Sequence, residues 1–285
     1  MAQFHIVHII PDGRLHILNG YNEVIKTVFW GLRCLGHEVS YAANVHRADA
    51  TNIVFGANMA HISLTDSWPG DTIIYNLEQI SPVLGQPHMR LSFERLSQQF
   101  VLWDYSEENI KAWKIINPDS APKYVPIGFA PILETIPRDK EQDIDILIYG
   151  GPSENRLNVF RDLCLRGTTA LFCFGLYGEV RDALIARSKL VLNISHHHAE
   201  IFSIVRVSYL LTNHKAVIAD LHPGLSVEPD MFNAVQFTPL ERFTDSCMHY
   251  LEDEEARAQL EKNAYLIMAQ RDIRRILADS LADQE

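Results

Sequence analysis

The 285-residue sequence has few cysteines and fewer basic than acidic residues, with 25 Lys and Arg against 36 Asp and Glu. The formal net charge of −11 argues against a protein that binds nucleic acid, because such binding needs a basic face. The four cysteines form no Cys-x-x-Cys pair, which argues against a disulfide framework and suits a reducing cytosol. We therefore expect a cytoplasmic protein.

The sequence also lacks long apolar runs. No stretch reaches the roughly 18 apolar residues that a membrane-spanning helix needs. The opening stretch, "MAQFHIVHIIPDG", has no basic region before its short apolar run, so we expect no signal peptide. Low-complexity tracts are absent, and the 47% of apolar residues can fill a hydrophobic core. These features leave contact with a membrane surface open.

What the sequence does contain is a regular alternation of short apolar strands and helical patterns, which indicates βαβ units and a parallel sheet. The alternation runs twice, and a segment rich in proline and charge, 126–145, separates the two runs. We predict an α/β fold with two Rossmann-like parallel-sheet domains facing a cleft. The predicted parts are an acceptor-side domain (1–126), a donor domain (127–261) and a helix that returns to the first domain (262–285).

The stretch "LNISHHHAEIFSIVRVSYLLTNHKAVIAD" (192–220) places three histidines between a predicted strand and a predicted helix over 200–211. Ligands of parallel sheets bind beyond the carboxyl ends of the strands, and a helix N-terminus favours an anion there. Three interpretations compete: a metal site, a solvated polar loop, or a loop that brings one histidine, His198, and Glu200 to a ligand.

This stretch resembles the donor-binding half of the GT-B glycosyltransferases, whose pattern reads roughly E-x-F-[GS]…E-A-x-x-x-G-x-P-V-V-A. Glu200, Phe202, Ser203 and the run 216–219 match the pattern in register. "ILIYGGPSENRLNVFRDLCLRG" is similar to the family's strand, Gly-rich turn and Arg-bearing helix, and "LNGYNEVIKTVFWGLRCLGHEV" to its first loop and helix. The resemblance implies that a nucleotide-sugar binds between the two domains. The residues it assigns to the donor are Gly20, Gly151, Arg156, His198, Glu200, Ser203 and Arg206.

Each of these assignments has a plainer interpretation. Arg156 could be a solvated arginine at a helix start, and Arg206 could pair with an acid in the core. Three positions depart from the family pattern, because Ser208 replaces the second glutamate, Asn213 the glycine and Lys215 the proline. On a helix, Arg206 would lie about 600° from Glu200 and nearer the opposite face.

Transfer to a hydroxyl group needs a base if the reaction inverts, and the ends of two first-half strands supply candidates. "IIYNLEQI" places Glu78 at the end of one strand, and "LWDYSEEN" places Asp104 at the end of another. Asp104 could instead cap the next helix or orient a neighbour. Trp68, ahead of Pro69 and Gly70, is a candidate for stacking on a sugar.

We predict a glycosyltransferase that moves a sugar from a nucleotide-sugar to a hydroxyl of a glycan, a lipid carrier or a protein. The resemblance implies neither a cofactor nor a requirement for Mg²⁺, because cationic side chains can stabilise the leaving diphosphate. The main alternative is a non-catalytic scaffold or sensor of the same fold that has lost donor binding. A sugar-nucleotide epimerase and a metal hydrolase using His196 to His198 are two further alternatives.

Overall fold

The computed structural model describes residues 2–11, 20–80, 87–138, 141–195 and 200–282. The chain divides into two compact units. Unit 1 contains Met1–Gly128 and Asp272–Glu285, and unit 2 contains Phe129–Arg271.

Unit 1 is built on a six-stranded sheet whose paired strands are all parallel, in the order β2-β1-β3-β4-β5-β6. His8, the last residue of β1, is in register with Ala43 of β2 and Phe55 of β3, so these strands end together. The strands are β1 (Gln3–His8), β2 (Glu38–Ala43), β3 (Thr51–Phe55), β4 (Ile73–Asn76), β5 (Val101–Asp104) and β6 (Lys123–Tyr124). The helices between them are α1 (Asn22–Cys34), α2 (Pro87–Gln99) and α3 (Glu107–Ile116).

Unit 2 is built on a five-stranded parallel sheet in the order β11-β10-β9-β7-β8. Its strands are β7 (Ile144–Tyr149), β8 (Ala170–Cys173), β9 (Ser188–Asn193), β10 (Ala216–Asp220) and β11 (Gln236–Thr238). Its helices are α4 (Glu154–Leu165), α5 (Gly178–Arg187), α6 (Ile204–Thr212), α7 (Phe243–Glu252) and α8 (Glu254–Ala269). Each sheet has its own buried apolar cluster. The predicted fold class, α/β with two Rossmann-like parallel-sheet domains, is confirmed.

The last helix, α9 (Ile273–Ala282), packs on α1 in unit 1. Glycine at 128 permits this packing, because a Cβ atom there would lie 3.0 Å from Ile273 Cα. We predicted the return to the first domain from residue 262, whereas α8 continues through that position to Ala269 in unit 2. None of the described helices is both long and apolar enough to span a membrane.

Candidate functional site

The first candidate site lies in unit 2, where β7 ends and α4 begins. Gly150 adopts a φ of 125°, a backbone conformation that favours glycine. Ser153 caps α4 by accepting a hydrogen bond from Arg156 N at 3.4 Å. The buried Arg156 donates from Nε to Ile194 O at 2.7 Å and from Nη1 to Gly151 O at 2.6 Å. Arg156 therefore ties the turn after β7 to the end of β9.

The guanidinium of Arg206 reaches the same turn from the first turn of α6. Its Nη1 donates to Tyr149 O at 3.5 Å, and its Cζ lies 5.7 Å from the centre of the Tyr149 ring. A Cβ atom built on Gly150 would lie 3.0 Å from Arg156 Nη1 and 3.5 Å from Arg206 Nη1. Both guanidinium groups therefore flank Gly150.

These two guanidinium groups give the turn a positive charge. Burial and the positive charge of Arg206 together lower the pKa of Arg156 to about 10, and the charge of Asp220 opposes that fall. With that pKa, Arg156 is cationic at neutral pH. Within the described ranges, neither guanidinium forms an ion pair with a carboxylate. An anion beside Gly150 could thus accept charge-assisted hydrogen bonds from both.

The start of α6 differs from the prediction. We predicted a helix over 200–211, but α6 begins at Ile204. Before it, Phe202 N donates to Ser226 O at 2.9 Å, and Ser226 N donates to Glu200 O at 2.8 Å. Glu200 is therefore held in a non-local backbone pairing and not on the helix. The predicted angle of about 600° between Arg206 and Glu200 is wrong, because the two residues do not belong to one continuous helix.

The other predicted donor residues lie around the start of α6. Ser203 is its N-cap residue and makes no side-chain capping hydrogen bond, and Glu200 is exposed to solvent. His198 lies outside the described residues, as do His196 and His197. In the described part of the chain, no group of three or more His, Cys, Asp or Glu side chains could hold a metal ion. Gly151, Arg156 and Arg206 are the predicted residues that the structure brings together.

Polar residues at the ends of β9 and β10, which we did not predict, belong to the same edge of the sheet. Asp220 accepts hydrogen bonds from Ser195 N at 2.9 Å and from Ser195 Oγ at 3.1 Å. Asn193 has a buried Oδ1 that makes no hydrogen bond within the described residues. The strand-end rule that we applied to β9 would also have selected Asp220, the last residue of β10.

The second candidate site lies in unit 1, two residues beyond β4. The exposed residue Glu78 accepts, through Oε1, a hydrogen bond from the buried Tyr21 hydroxyl. Although the residue is exposed in part, desolvation of its carboxyl group raises the pKa of Glu78, and the hydrogen bond from Tyr21 opposes that rise. Burial and the charge of Glu78 raise the pKa of Tyr21 well above its usual value of 10, so Tyr21 stays a protonated donor. We predicted the neighbouring Gly20, which is exposed, but did not predict Tyr21.

Asp104, at the end of β5, is fully buried and accepts four hydrogen bonds. Oδ1 accepts from Ser106 N at 3.0 Å and Asn109 Nδ2 at 2.9 Å, and Oδ2 from Asn76 Nδ2 at 2.7 Å and Trp113 Nε1 at 2.8 Å. Burial raises its pKa to about 7, against these four bonds, which favour the carboxylate. Both oxygens are thus occupied by the protein.

Asp104 is linked to Glu78 through two asparagines. Asn76 Nδ2 and Asn109 Nδ2 each donate to Glu78 O at 2.8 Å, and Glu78 N donates to Asn76 Oδ1 at 3.2 Å. The same two amide groups also donate to Asp104. This geometry favours the second role considered for Asp104, that of a residue that orients its neighbours.

Comparisons with known proteins find similar structures but no similar sequences. No protein-family model and no curated protein sequence matches the chain. Among solved structures, HepE from Anabaena in complex with UDP and glucose matches 97% of this chain and 99% of its own, with a TM-score of 0.66 and 13% identity. Sucrose-phosphate synthase from Thermosynechococcus elongatus matches 100% of this chain and 99% of its own, with a TM-score of 0.67 and 10% identity. WaaG, a glycosyltransferase involved in lipopolysaccharide biosynthesis, matches 98% of each chain, with a TM-score of 0.64 and 13% identity.

These matches extend over nearly the whole of each chain, so they cover both units. At 10 to 13% identity they show the fold alone. The chain therefore has the GT-B fold.

Proposed function

We propose that the chain is a glycosyltransferase that moves a sugar from a nucleotide-sugar to an acceptor hydroxyl. The observation that carries this proposal is the pair of guanidinium groups, Arg156 and Arg206, beside Gly150 at the carboxyl edge of the unit 2 sheet. A fold alone does not establish an activity, but this pair supplies what a leaving diphosphate needs. The proposed acceptor is a glycan, a lipid carrier or a protein. The scattered cysteines support a proposed cytoplasmic location.

The donor diphosphate would lie against the turn after β7. Arg156 is preorganised there, since the carbonyl oxygens of Gly151 and Ile194 fix its guanidinium. Arg206 would add a second cation, and the positive end of the α6 dipole would favour the same anion. Because two guanidinium groups can offset the diphosphate charge, we propose that neither Mg²⁺ nor a cofactor is required. Glu200, Ser203, His198 and Gly20 remain proposed donor contacts.

Glu78 is the proposed general base. Its raised pKa makes the Glu78 carboxylate a better proton acceptor than an ordinary glutamate. The carboxylate would take the proton from the acceptor hydroxyl as that oxygen attacks the sugar. Asp104 would act through Asn76 and Asn109 by holding the Glu78 backbone, rather than by touching the acceptor.

UDP is the first nucleotide to test, since the similar HepE was solved with UDP-glucose. Thermal unfolding would be followed with UDP, GDP and ADP, with and without Mg²⁺. A ligand at about 100 times its Kd stabilises the native state by about 2.7 kcal/mol. Arg206→Met should weaken binding about tenfold or more, since it removes one charge-assisted contact worth over about 1.4 kcal/mol.

The matched control is Arg161→Met on α4, where the exposed Arg161 pairs with Asn158. It should leave nucleotide binding unchanged. Well-folded protein that no nucleotide stabilises would favour the scaffold alternative, as would equal effects of the two arginine variants.

A further inference from the structure

Unit 1 contains a pocket of about 630 Å³ next to the ends of three adjacent strands. Its described walls come from residues 9–11 after β1, from 44–46 after β2, and from 59–61, 64, 67 and 68 after β3. This volume lies within the usual range of small-molecule sites, about 300 to 1,000 Å³. The pocket opens at the carboxyl edge of the sheet, which is also the edge that carries Glu78.

The pocket wall adjoins the residue that bonds Glu78. A Cβ atom built on Gly56 would lie 2.6 Å from Met59 Cε, 3.3 Å from Ile9 O and 3.5 Å from Tyr21 Cε2. Met59 and Ile9 line the pocket, and Tyr21 donates its hydroxyl hydrogen bond to Glu78. Tyr21 and Glu78 are not among the described lining residues, but the Tyr21 ring lies beside Gly56, next to the wall that Met59 and Ile9 form.

The lining offers little to a charged or heavily hydroxylated ligand. No Lys, Arg, Asp or Glu is among its described lining residues, which are mostly apolar. Asn44 already uses its amide on Ile10, accepting from Ile10 N at 2.7 Å and donating to Ile10 O at 2.9 Å. Ser67 Oγ donates to Leu64 O at 2.8 Å. Burial lowers the pKa of His46 to about 4, so this imidazole is uncharged at neutral pH.

Trp68 is a wall of the pocket and not an open platform for a sugar ring. The His46 ring stacks on it at 4.6 Å between centroids, and the Phe100 ring lies 5.7 Å away. Trp68 also packs on the apolar cluster of unit 1. Contact with a ligand here would rest on burial of apolar surface, which favours an apolar group.

We propose that this pocket binds an uncharged, apolar part of the acceptor, an aryl or alkyl group whose hydroxyl is presented to Glu78. The identification of this ligand as the acceptor rests on the proposed function. The pocket and its preference for apolar groups do not depend on that function. Glycosyl transfer would then act on a hydroxyl attached to an apolar group.

The probe is 2-naphthol, an uncharged aryl alcohol, titrated into the full chain at pH 7 without nucleotide and followed by tryptophan fluorescence. We expect saturable binding. 2-Naphthoate has the same ring system with a charged carboxylate. It should bind at least about tenfold more weakly, because no Lys or Arg is among the described lining residues to pair with it. Maltose should not compete.

Two variants and a matched control locate the binding. Leu64 and Val45 line the pocket with exposures of 57% and 56%, and Leu91, which does not line it, is 58% exposed. Leu64→Asp and Val45→Asp should each weaken 2-naphthol binding about tenfold, since each replaces apolar contact with a carboxylate. Leu91→Asp should change nothing. All three sites are on the surface, so the variants should fold.

Three results would overturn the inference. They are an absence of saturable 2-naphthol binding, an equal effect of Leu64→Asp and Leu91→Asp, and displacement of 2-naphthol by maltose, which would make the occupant a sugar. The nucleotide assay reports separately on the proposed function. If UDP binds and 2-naphthol does not, only the proposal of an apolar acceptor is refuted. If 2-naphthol binds and no nucleotide does, only the proposed transferase activity is refuted.

Discussion

Replacing Asp104 by Asn tests whether a buried carboxylate organises the loop that carries Glu78. The change preserves shape and turns one carboxylate oxygen into an NH₂ group. Each oxygen accepts from two donors, so whichever one is replaced, two buried donors lose their acceptor. At about 1 to 3 kcal/mol for each unsatisfied buried donor, Asp104→Asn should lower the free energy of unfolding by about 2 to 6 kcal/mol.

Urea unfolding at pH 8 measures this loss, because a pKa of about 7 leaves Asp104 mostly ionised there. The control is Asp66→Asn, which removes the charge of a largely exposed aspartate paired with Arg95 and should cost at most about 1 kcal/mol. Hydrogen exchange adds a local measure. The amides of Glu78 and Ile80 donate to Asn76 and Asn109, so both should exchange faster in Asp104→Asn.

A loss below about 1 kcal/mol, or one no larger than that of the control, would refute this reasoning. It would mean that the four donors find other acceptors at little cost. Unchanged exchange at Glu78 with a large loss of stability would show that Asp104 supports the fold but not the loop.

Tyr21→Phe should raise the pKa of Glu78, because it removes the hydrogen bond that stabilises the carboxylate; the acid limb of the pH profile of transfer should move to higher pH. Gly128→Ala should destabilise the protein by about 1 to 3 kcal/mol in urea unfolding through its clash with the α9 backbone, whereas Gly70→Ala, with open space around it, should not. The pKa of His46 is about 4 in the native state and 6.5 ordinarily. Between these pH values the unfolded chain binds more protons than the native state, so the free energy of unfolding falls as the pH drops from 6.5 to 4. His46→Gln should lessen that fall in the urea midpoint between pH 7 and pH 4.5.

The fold and the positions of Arg156, Glu78 and Asp104 could be predicted because they depend on local pattern. Alternating strands and helices fix a parallel sheet, and residues directly after its strands reach one edge. The strand "ILIYGG" and its Gly-rich turn thus located the site of Arg156. That prediction needed no knowledge of tertiary contacts.

The start of α6 and the role of Asp104 depend on contacts between distant residues. Glu200 before an apolar periodic run is typical of a helix start, yet its backbone pairs with Ser226, a partner that periodicity does not reveal. Asp104 is surrounded by side chains from β4 and α3, so its burial becomes visible only once those elements are packed. The end of a strand predicts where a carboxylate lies in the sheet. Whether that carboxylate is available to a ligand depends on how the neighbouring elements pack around it.

The same distinction bears on the scaffold alternative. Asn213 accepts from Thr135 N and Ile136 N, both at 2.9 Å, and Lys215 Nζ donates to Ser188 O at 3.1 Å. These two departures from the glycosyltransferase pattern therefore have structural roles at the C-terminal end of α6. The nine residues of α6 span about 13 Å at 1.5 Å per residue. Asn213 and Lys215 follow the last of these residues, whereas Arg206 lies in the first turn. They do not argue for loss of donor binding, and the choice between transferase and scaffold depends on whether the two arginines beside Gly150 bind a nucleotide.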